Sequence, residues 1–202
     1  MTENKCSKKQ QKQLQNKNMI MDATIELIKR DGIDSVTVRN VCKEADIATG
    51  TFYYYFKNKD ELLTSFIMES TFDYFILECP SSHISKRICE LYLILIHKYL
   101  SFGKKFMKSF YVSSNSALSA YMGESDGSFR AGTIMDRCEK ELTTAKDLGI
   151  IKPSINVHTL SIDICTIVKG IIFEWCLTDS EFDIDLVTYR MIDNYLFRYL
   201  NV

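Results

Sequence analysis

Residues 37–63, TVRNVCKEADIATGTFYYYFKNKDELL, decide the fold because they contain two short helical patterns separated by a tight turn. Thr37 is a favourable N-cap, and Val41, Cys42 and Ala45 then recur at the spacing of one buried helix face. A turn and an aromatic segment follow. With a preceding helix, this spacing matches the helix-turn-helix pattern.

The aromatic segment FYYYF cannot bury all of its rings on one side of a helix. Because each residue advances about 100° around a helix, Phe52 and Phe56 share one face while the tyrosines between them spread over the remaining surface. A tyrosine suits a phosphate-contacting surface, since its ring packs against sugar and its hydroxyl donates to an oxygen. The alternative is that Tyr54 or Tyr55 only covers the small core.

A further helix is predicted directly after the aromatic segment. Asn58 as N-cap and Glu61 three residues later resemble a capping box, which predicts a helix from Lys59 to about Phe75. A lysine in the first turn opposes the helix dipole. A DNA phosphate bound by the Lys59 ammonium and the helix N-terminal amides would offset that repulsion, whereas a solvated lysine would need no partner.

The segment before this region is basic. Residues 1–18 contain five lysines and one glutamate, and we expect a mobile basic arm that becomes helical near residue 16. Ile20, Leu27 and neighbouring apolar residues then predict a first helix that ends before Gly32. Since the net charge of the chain is −1, affinity for nucleic acid must come from this arm and from where charges point.

The whole chain has the composition of a helical globular protein, with 202 residues, 46% of them hydrophobic, two prolines and eight glycines. Seven cysteines without a C-x-x-C pair, and no secretory signal, indicate a reducing cytoplasm. The most apolar segments contain charged residues, which argues against a membrane span. Spaced apolar residues after Pro80 predict helices near 83–101, 104–113, 129–148, 155–178 and 184–200.

Residues 37–63 closely resemble the DNA-binding signature of TetR-family transcriptional regulators, and the length and helical second half of the chain are also similar to that family. The resemblance implies an all-α fold. An N-terminal three-helix helix-turn-helix DNA-binding domain, residues 1–63 with the basic arm, would join a C-terminal helical bundle, residues 64–202, for ligand binding and dimerisation. It also implies a repressor that a small-molecule effector releases from a palindromic operator. The alternative is a DNA-architectural or partner-regulated protein without an effector.

The resemblance also implies roles for individual residues. Thr37 would cap the second helix against a phosphate, Arg39 would face the major groove, and the start of the recognition helix would approach base edges. The tyrosines and Lys59 match positions that contact the DNA backbone or point at DNA. The predicted DNA-binding residues are Thr37, Arg39, Thr49, Gly50, Thr51, Tyr53, Tyr54, Tyr55 and Lys59.

Two residues depart from the family pattern. Asp46 stands where the turn usually has glycine, and aspartate tolerates a left-handed conformation better than most residues. Ala48 stands where a serine commonly caps the recognition helix. Because alanine cannot accept the amide hydrogen bond, we expect Thr49 to cap instead and to shift the start of the helix by one residue.

Aromatic residues of the second half are candidates for an effector pocket, although each is also a candidate for the core. They are Phe102, Phe106, Phe110, Phe129 and Trp175. The resemblance implies a homodimer formed through the last two helices, whose wide apolar faces would equally close the core of one chain. The candidate interface residues are Leu160, Ile164, Ile167, Ile171, Leu186, Ile192 and Leu196.

No catalytic pattern accompanies these features. The sequence has no phosphate-binding loop and no dinucleotide-binding motif, and its three histidines lack the i, i+4 partner of a metal site. We therefore expect no enzymatic activity, no cofactor and no metal. The expected partners are a double-stranded DNA operator, a small-molecule effector and a second copy of the chain, and no membrane.

Overall fold

The structure is a computed structural model that describes residues 8–68, 71–110, 124–125, 127–178 and 181–201. The described chain is mostly helical and divides into two compact units, Met1–Glu69 and Ser70–Val202. Its only described sheet is a hairpin of two two-residue strands, so the expectation of an all-α fold is confirmed.

The N-terminal unit contains four α-helices within its described residues. Their bounds are α1 Lys8–Asp31, α2 Val38–Glu44, α3 Thr49–Tyr55 and α4 Lys59–Met68, with a 3-10 turn Ile33–Ser35 between α1 and α2. Ile20, Val41, Phe52 and Leu62, one from each helix, are fully buried and form the centre of a small core. A bidentate pair between Arg30 and Glu44, with Nη1–Oε1 3.0 Å and Nη2–Oε2 2.9 Å, joins α1 to α2 at the surface.

Helix α1 begins at Lys8 rather than near residue 16, so the prediction of a non-helical arm is wrong for residues 8–15. Lysine and glutamine have high helix propensity, and α1 extends this segment from an anchored helix, which needs no new nucleation. Residues 1–7 of the predicted arm lie outside the described residues. The basic segment is therefore partly a helical surface.

The C-terminal unit consists of helices and one hairpin within its described residues. The elements are α5 Ile84–Ser101, α6 Lys104–Phe110, β1 Glu124–Ser125, β2 Ser128–Phe129, α7 Ile134–Asp147, α8 Val157–Leu177 and α9 Ile184–Leu196, with 3-10 turns Ser81–His83 and Phe197–Tyr199. The five helices were predicted in this order. The start predicted near 129 is wrong, because β2 pairs with β1 there and Thr133 caps α7 by accepting from the Asp136 amide at 3.3 Å.

The segment after α4 is not the helix that the sequence predicts. Helix α4 is described to Met68, and residues 71–80 form turns and irregular chain. Phe72 is buried, and its amide donates to the Gly132 carbonyl at 2.9 Å. A Cβ on Gly132 would lie 3.0 Å from Thr71 Oγ1, and the φ of Gly132 is 78°, so this close approach requires glycine. Tertiary contacts replace helix continuation here.

A buried carboxylate joins this segment to the bundle. Glu141 on α7 accepts from Arg87 Nε of α5 at 2.6 Å and from Arg137 Nε at 2.8 Å. Arg87 also donates to the carbonyls of Leu77 and Cys79, and Arg137 Nη1 donates to the Asp73 carbonyl at 2.9 Å. One nearly buried acidic group thus stabilises α5, α7 and the connecting segment together.

The cysteines of the described chain are free thiols, and most are buried. Burial raises the pKa of Cys89 and of Cys138 to about 12, so both remain protonated near neutral pH. None of the described helices is both long and apolar enough to cross a membrane.

Candidate nucleic-acid interface

Helix α2 begins with the predicted cap. The Thr37 Oγ1 accepts from the Asn40 amide at 3.1 Å, and Thr37 itself has extended backbone dihedrals. Val41 and Cys42 are buried, which leaves Arg39 exposed on the opposite side of the helix. Arg39 makes no ion pair within the described residues. The cap is confirmed, and the guanidinium remains available to an outside partner.

The turn between α2 and α3 uses Asp46 in a left-handed conformation, with a φ of 50°. Among the described residues, Asp46 is the only non-glycine residue with a positive φ, which confirms that it adopts the left-handed conformation expected at this turn. The Ile47 amide donates to the Cys42 carbonyl at 2.9 Å and closes the turn. The two helices are therefore held in a fixed arrangement.

The expected shift at the start of the recognition helix does not occur. Ala48 is the N-cap of α3, it makes no side-chain cap hydrogen bond, and Thr49 is already the first helical residue. The Thr51 amide donates to the Ala48 carbonyl at 2.9 Å, so the backbone forms the first turn without a polar cap. Thr49 and Gly50 are exposed there, and Thr51 is half-buried.

The five aromatics divide by direction as predicted. Phe52 is 0% and Phe56 2% exposed, whereas Tyr53 is 55% and Tyr54 66% exposed. Tyr55 is half-buried and meets Tyr54 edge to face, with ring centroids 4.9 Å apart. The phenylalanines fix α3 in the core, and two tyrosines project from the surface.

Lys59 lies at the start of α4, beside a cap that differs slightly from the predicted box. Asn58 Oδ1 accepts from the Glu61 amide at 2.8 Å, but the Glu61 carboxylate accepts from the Lys57 amide at 2.6 Å rather than from Asn58. Asp60 and Glu61 are the acidic residues of this first turn, so they offset the unfavourable effect of a lysine on the helix dipole. Lys59 is half-buried and has no ion pair with the described residues.

The sequence did not predict that α1 borders this surface. Gln13 Nε2 donates to the Tyr54 hydroxyl at 2.6 Å, and Lys17 Nζ lies 5.6 Å from the centre of the Phe56 ring. No local signal could have indicated the first contact, because its partners are 41 residues apart in sequence. Together α1, α2 and α3 expose a positively charged side chain, hydroxyl groups, two adjacent tyrosine rings and a glycine that lets the backbone come close to a partner. All of these groups suit the binding of a polyanion.

The candidate effector residues make several ring contacts within the C-terminal unit. Phe106 is buried and packs on Phe102 with centroids 4.8 Å apart, while Phe129 stacks on His158 at 4.2 Å. Lys104 Nζ lies 5.3 Å from the centre of the Trp175 ring. The side chain of Phe110 lies outside the described residues.

A separate open groove of about 600 Å³ runs along α5. Its lining is Cys79, Lys86, Cys89, Glu90, Leu93, Ile94, His97 and Tyr189. None of the predicted effector residues is among the residues that line this groove.

Most of the candidate interface residues are core residues of one chain. Leu160, Ile164, Ile171, Ile192 and Leu196 are buried without a partner chain, which corrects their assignment to an interface. The physical reason is that α8 packs against both α7 and α9, so its widest apolar face is used internally. Ile167 is half-buried, and Leu186 is 61% exposed. The described residues contain no cluster of three or more potential metal ligands.

Comparison with known proteins agrees with this geometry. Residues 20–66 match the family model described as bacterial regulatory proteins of the tetR family. An uncharacterized HTH-type transcriptional regulator of Haemophilus influenzae is 49% identical over 47 residues, which are 23% of this chain and 25% of that protein. The HTH-type transcriptional repressor KstR of Rhodococcus jostii is 42% identical over 53 residues, 26% of this chain and 25% of that protein. The alignment spans about a quarter of the length of these curated relatives.

The fold is similar over nearly the whole chain. The crystal structure of RolR in complex with resorcinol aligns with a TM-score of 0.58 and 18% identity, and the alignment covers 90% of this chain and 87% of that one. Helices α2 and α3, with the turn between them, form a helix-turn-helix that lies within the residues matched by the family model. Over residues 20–66 the chain is therefore similar to bacterial regulatory proteins of the tetR family.

Proposed function

We propose that this chain is a ligand-responsive repressor whose dimer binds a palindromic DNA operator and is released by a small-molecule effector. The observation that carries the proposal is the surface of α2 and α3. Arg39, Tyr53 and Tyr54 face outward there, while Phe52 and Phe56 hold the helix from behind. On such a surface, exposed side chains can contact base edges while the helix that carries them is held in place by its buried residues.

The DNA-binding residues differ in what they offer. The Arg39 guanidinium carries two parallel N–H donors, whose spacing matches the two acceptors of guanine in the major groove. Lys59, with Thr37 and Tyr53, supplies the cation and hydroxyls suited to phosphate oxygens. Thr49, Gly50 and Thr51 form the first turn of α3, where the small residues Thr49 and Gly50 are exposed and allow the backbone to approach base edges. Tyr55 supports Tyr54 from the side.

Dimerisation is supported by apolar side chains that one chain leaves exposed on its last two helices. Phe173 and Leu177 of α8, and Leu186, Tyr189 and Met191 of α9, are each at least 38% exposed. A two-fold interface would cover such side chains and place two recognition helices about 34–36 Å apart, one turn of DNA. Of the residues expected from sequence, Leu186 and Ile167 can contribute.

An effector site in the C-terminal unit is supported by its polar atoms as well as its aromatics. Within the part of the chain that the structure describes, the buried Tyr92 hydroxyl has only the thiols of Cys138 and Cys165 beside it, which are weak hydrogen-bond partners. A buried hydroxyl of this kind is stabilised by a ligand that supplies a polar group. That RolR, which shares this fold, was crystallised with resorcinol supports a small organic effector.

The test is to select duplex DNA from a random pool with the purified chain, and then to screen compounds for release of the selected duplex. We expect a subset of compounds both to raise the unfolding temperature and to lower DNA affinity, because the effector binds one state preferentially. If no compound stabilises the protein and only salt releases DNA, the architectural alternative replaces the ligand-responsive one.

A further inference from the structure

The first turns of α1 contact the recognition helix at two points. Gln13 donates its side-chain amide hydrogen to the Tyr54 hydroxyl, with Nε2 and Oη 2.6 Å apart, and Lys17 lies over the Phe56 ring at 5.6 Å. Residues 13 and 17 are one helical turn apart and share a face of α1. This face of α1 therefore packs against the C-terminal end of α3, entirely within the N-terminal unit.

The direction of the Gln13 hydrogen bond determines what the Tyr54 hydroxyl can do. A phenol hydroxyl both accepts and donates, so a hydroxyl that accepts from an amide keeps its own proton for another partner. Hydrogen bonds in such a chain polarise one another, which strengthens the outward donation. Tyr54 is 66% exposed, and its ring is supported from the side by Tyr55. The Tyr54 hydroxyl thus keeps its proton for donation to a partner outside the protein.

We propose that Gln13 is a positioning residue that orients the Tyr54 hydroxyl as a hydrogen-bond donor to a DNA phosphate oxygen. This inference rests on the proposed DNA-binding function. A phosphate is the expected acceptor because a single donor cannot make the bidentate contacts that distinguish bases, and at least about half of protein–DNA hydrogen bonds go to phosphate and sugar oxygens. The first turns of α1 then belong to the DNA-binding surface through a contact and not only through their lysines.

The experiment compares four variants of the full chain on a duplex selected by the wild-type chain from a random pool. They are Gln13→Ala, Tyr54→Phe, the double variant, and Gln15→Ala as the matched control, because Gln15 is exposed on the same helix and has no described contact with α3. We expect Gln13→Ala and Tyr54→Phe each to weaken binding about three- to tenfold, the range of one hydrogen bond. Gln15→Ala should bind as the wild type does.

Two readouts separate positioning from a general structural effect. In the double-mutant cycle, Gln13→Ala should cause no further loss once Tyr54 is phenylalanine, because its effect acts through the hydroxyl. The salt dependence of binding should keep the wild-type slope in every variant, because a neutral hydroxyl releases no counterion. Circular dichroism melting curves should coincide for Gln13→Ala and Gln15→Ala.

The outcomes that overturn the inference are distinct from those that overturn the function. If Gln13→Ala binds as tightly as Gln15→Ala, or weakens binding equally in the Tyr54→Phe background, Gln13 does not position Tyr54. A lower salt slope in Gln13→Ala would also contradict a neutral contact. If the wild-type chain selects no duplex at all, the proposed DNA-binding function is wrong, and this inference is wrong with it.

Discussion

The recognition helix α3 and the long helix α8 differ in how many of their sides are packed against other helices. Helix α3 buries Phe52 and leaves Tyr53 and Tyr54 exposed, whereas α8 buries Leu160, Ile164, Val168 and other residues on a broad face. Helix α3 packs on one side of a small unit, but α8 contacts α6, α7 and α9. A helix with one packed side leaves a predictable outer surface, and a helix with several packed sides does not.

The largest effect is expected from a substitution that removes a buried ring from the packed side of α3. Phe52→Ala should destabilise the N-terminal unit by about 3–5 kcal/mol, because it removes a fully buried ring that contacts Tyr53 and Phe56. Hydrogen exchange of the α2 and α3 amides would measure the loss. Tyr53→Ala on the same helix is the control, and an equal loss of protection there would show that Tyr53 is a core residue.

The second effect tests the C-terminal unit, whose packing includes a buried charge. Glu141→Gln should destabilise this unit by about 3 kcal/mol, since two arginines would lose their shared partner in a nearly buried site. Fluorescence of Trp175, the single tryptophan, during urea unfolding reports on this unit alone. Glu139→Gln lies on the same helix and pairs with His158 at 3.2 Å in a more exposed position, so it should cost less than about 1 kcal/mol. Similar losses for both would refute the special role of Glu141.

The third effect concerns the outer surface of the N-terminal unit. Lys59→Ala should weaken binding to all DNA sequences alike and should lower the salt slope by about 1, because one phosphate contact is lost. Binding assays over a salt series would measure it, with Lys86→Ala in the C-terminal unit as the control. An unchanged slope for Lys59→Ala would mean that this lysine is only a solvated side chain.

The smallest effect concerns the surface pair between Arg30 and Glu44. The hydrogen bonds from Arg30 lower the pKa of Glu44 from 4.5. A carboxyl group with a lowered folded pKa contributes stability above its unfolded pKa and loses it as pH falls through the folded pKa. The difference in stability between the wild type and Glu44→Gln should therefore be constant above about pH 6 and shrink below 4.5. Unfolding curves over this range would check it, and a pH-independent difference would contradict the linkage.

Sequence patterns predicted the N-terminal unit well because local rules determine much of it. The Thr37 cap, the left-handed Asp46 and the division of FYYYF each follow from a few neighbouring residues. The start of α3 was mispredicted, because Ala48 serves as its N-cap without a side-chain hydrogen bond. Backbone hydrogen bonds are enough to begin this helix when the surrounding residues hold it in place. The Gln13 contact could not be predicted, since it joins residues far apart in sequence.

The C-terminal unit was predicted less well because distant contacts determine it. The order of its described helices followed from periodicity, but the start of α7 was mispredicted, because the chain before it forms the hairpin of β1 and β2 and the contact between Phe72 and Gly132. The candidate interface residues were mostly core, because periodicity shows that a face is apolar and does not show what covers it. The role of the candidate effector aromatics stays a prediction, because the described ring contacts do not show which of them would face a ligand.

The most direct test of the central claim, that the surface of α2 and α3 reads DNA, is to sequence the duplexes that the wild type and Arg39→Ala select from a random pool. The wild type should enrich an inverted repeat whose half-sites are about one helical turn apart. Arg39→Ala should enrich the same repeat but lose preference at one base position in each half-site, a difference of about 1–3 kcal/mol. Selection of no common sequence by the wild type, or identical preferences for both proteins, would contradict the account.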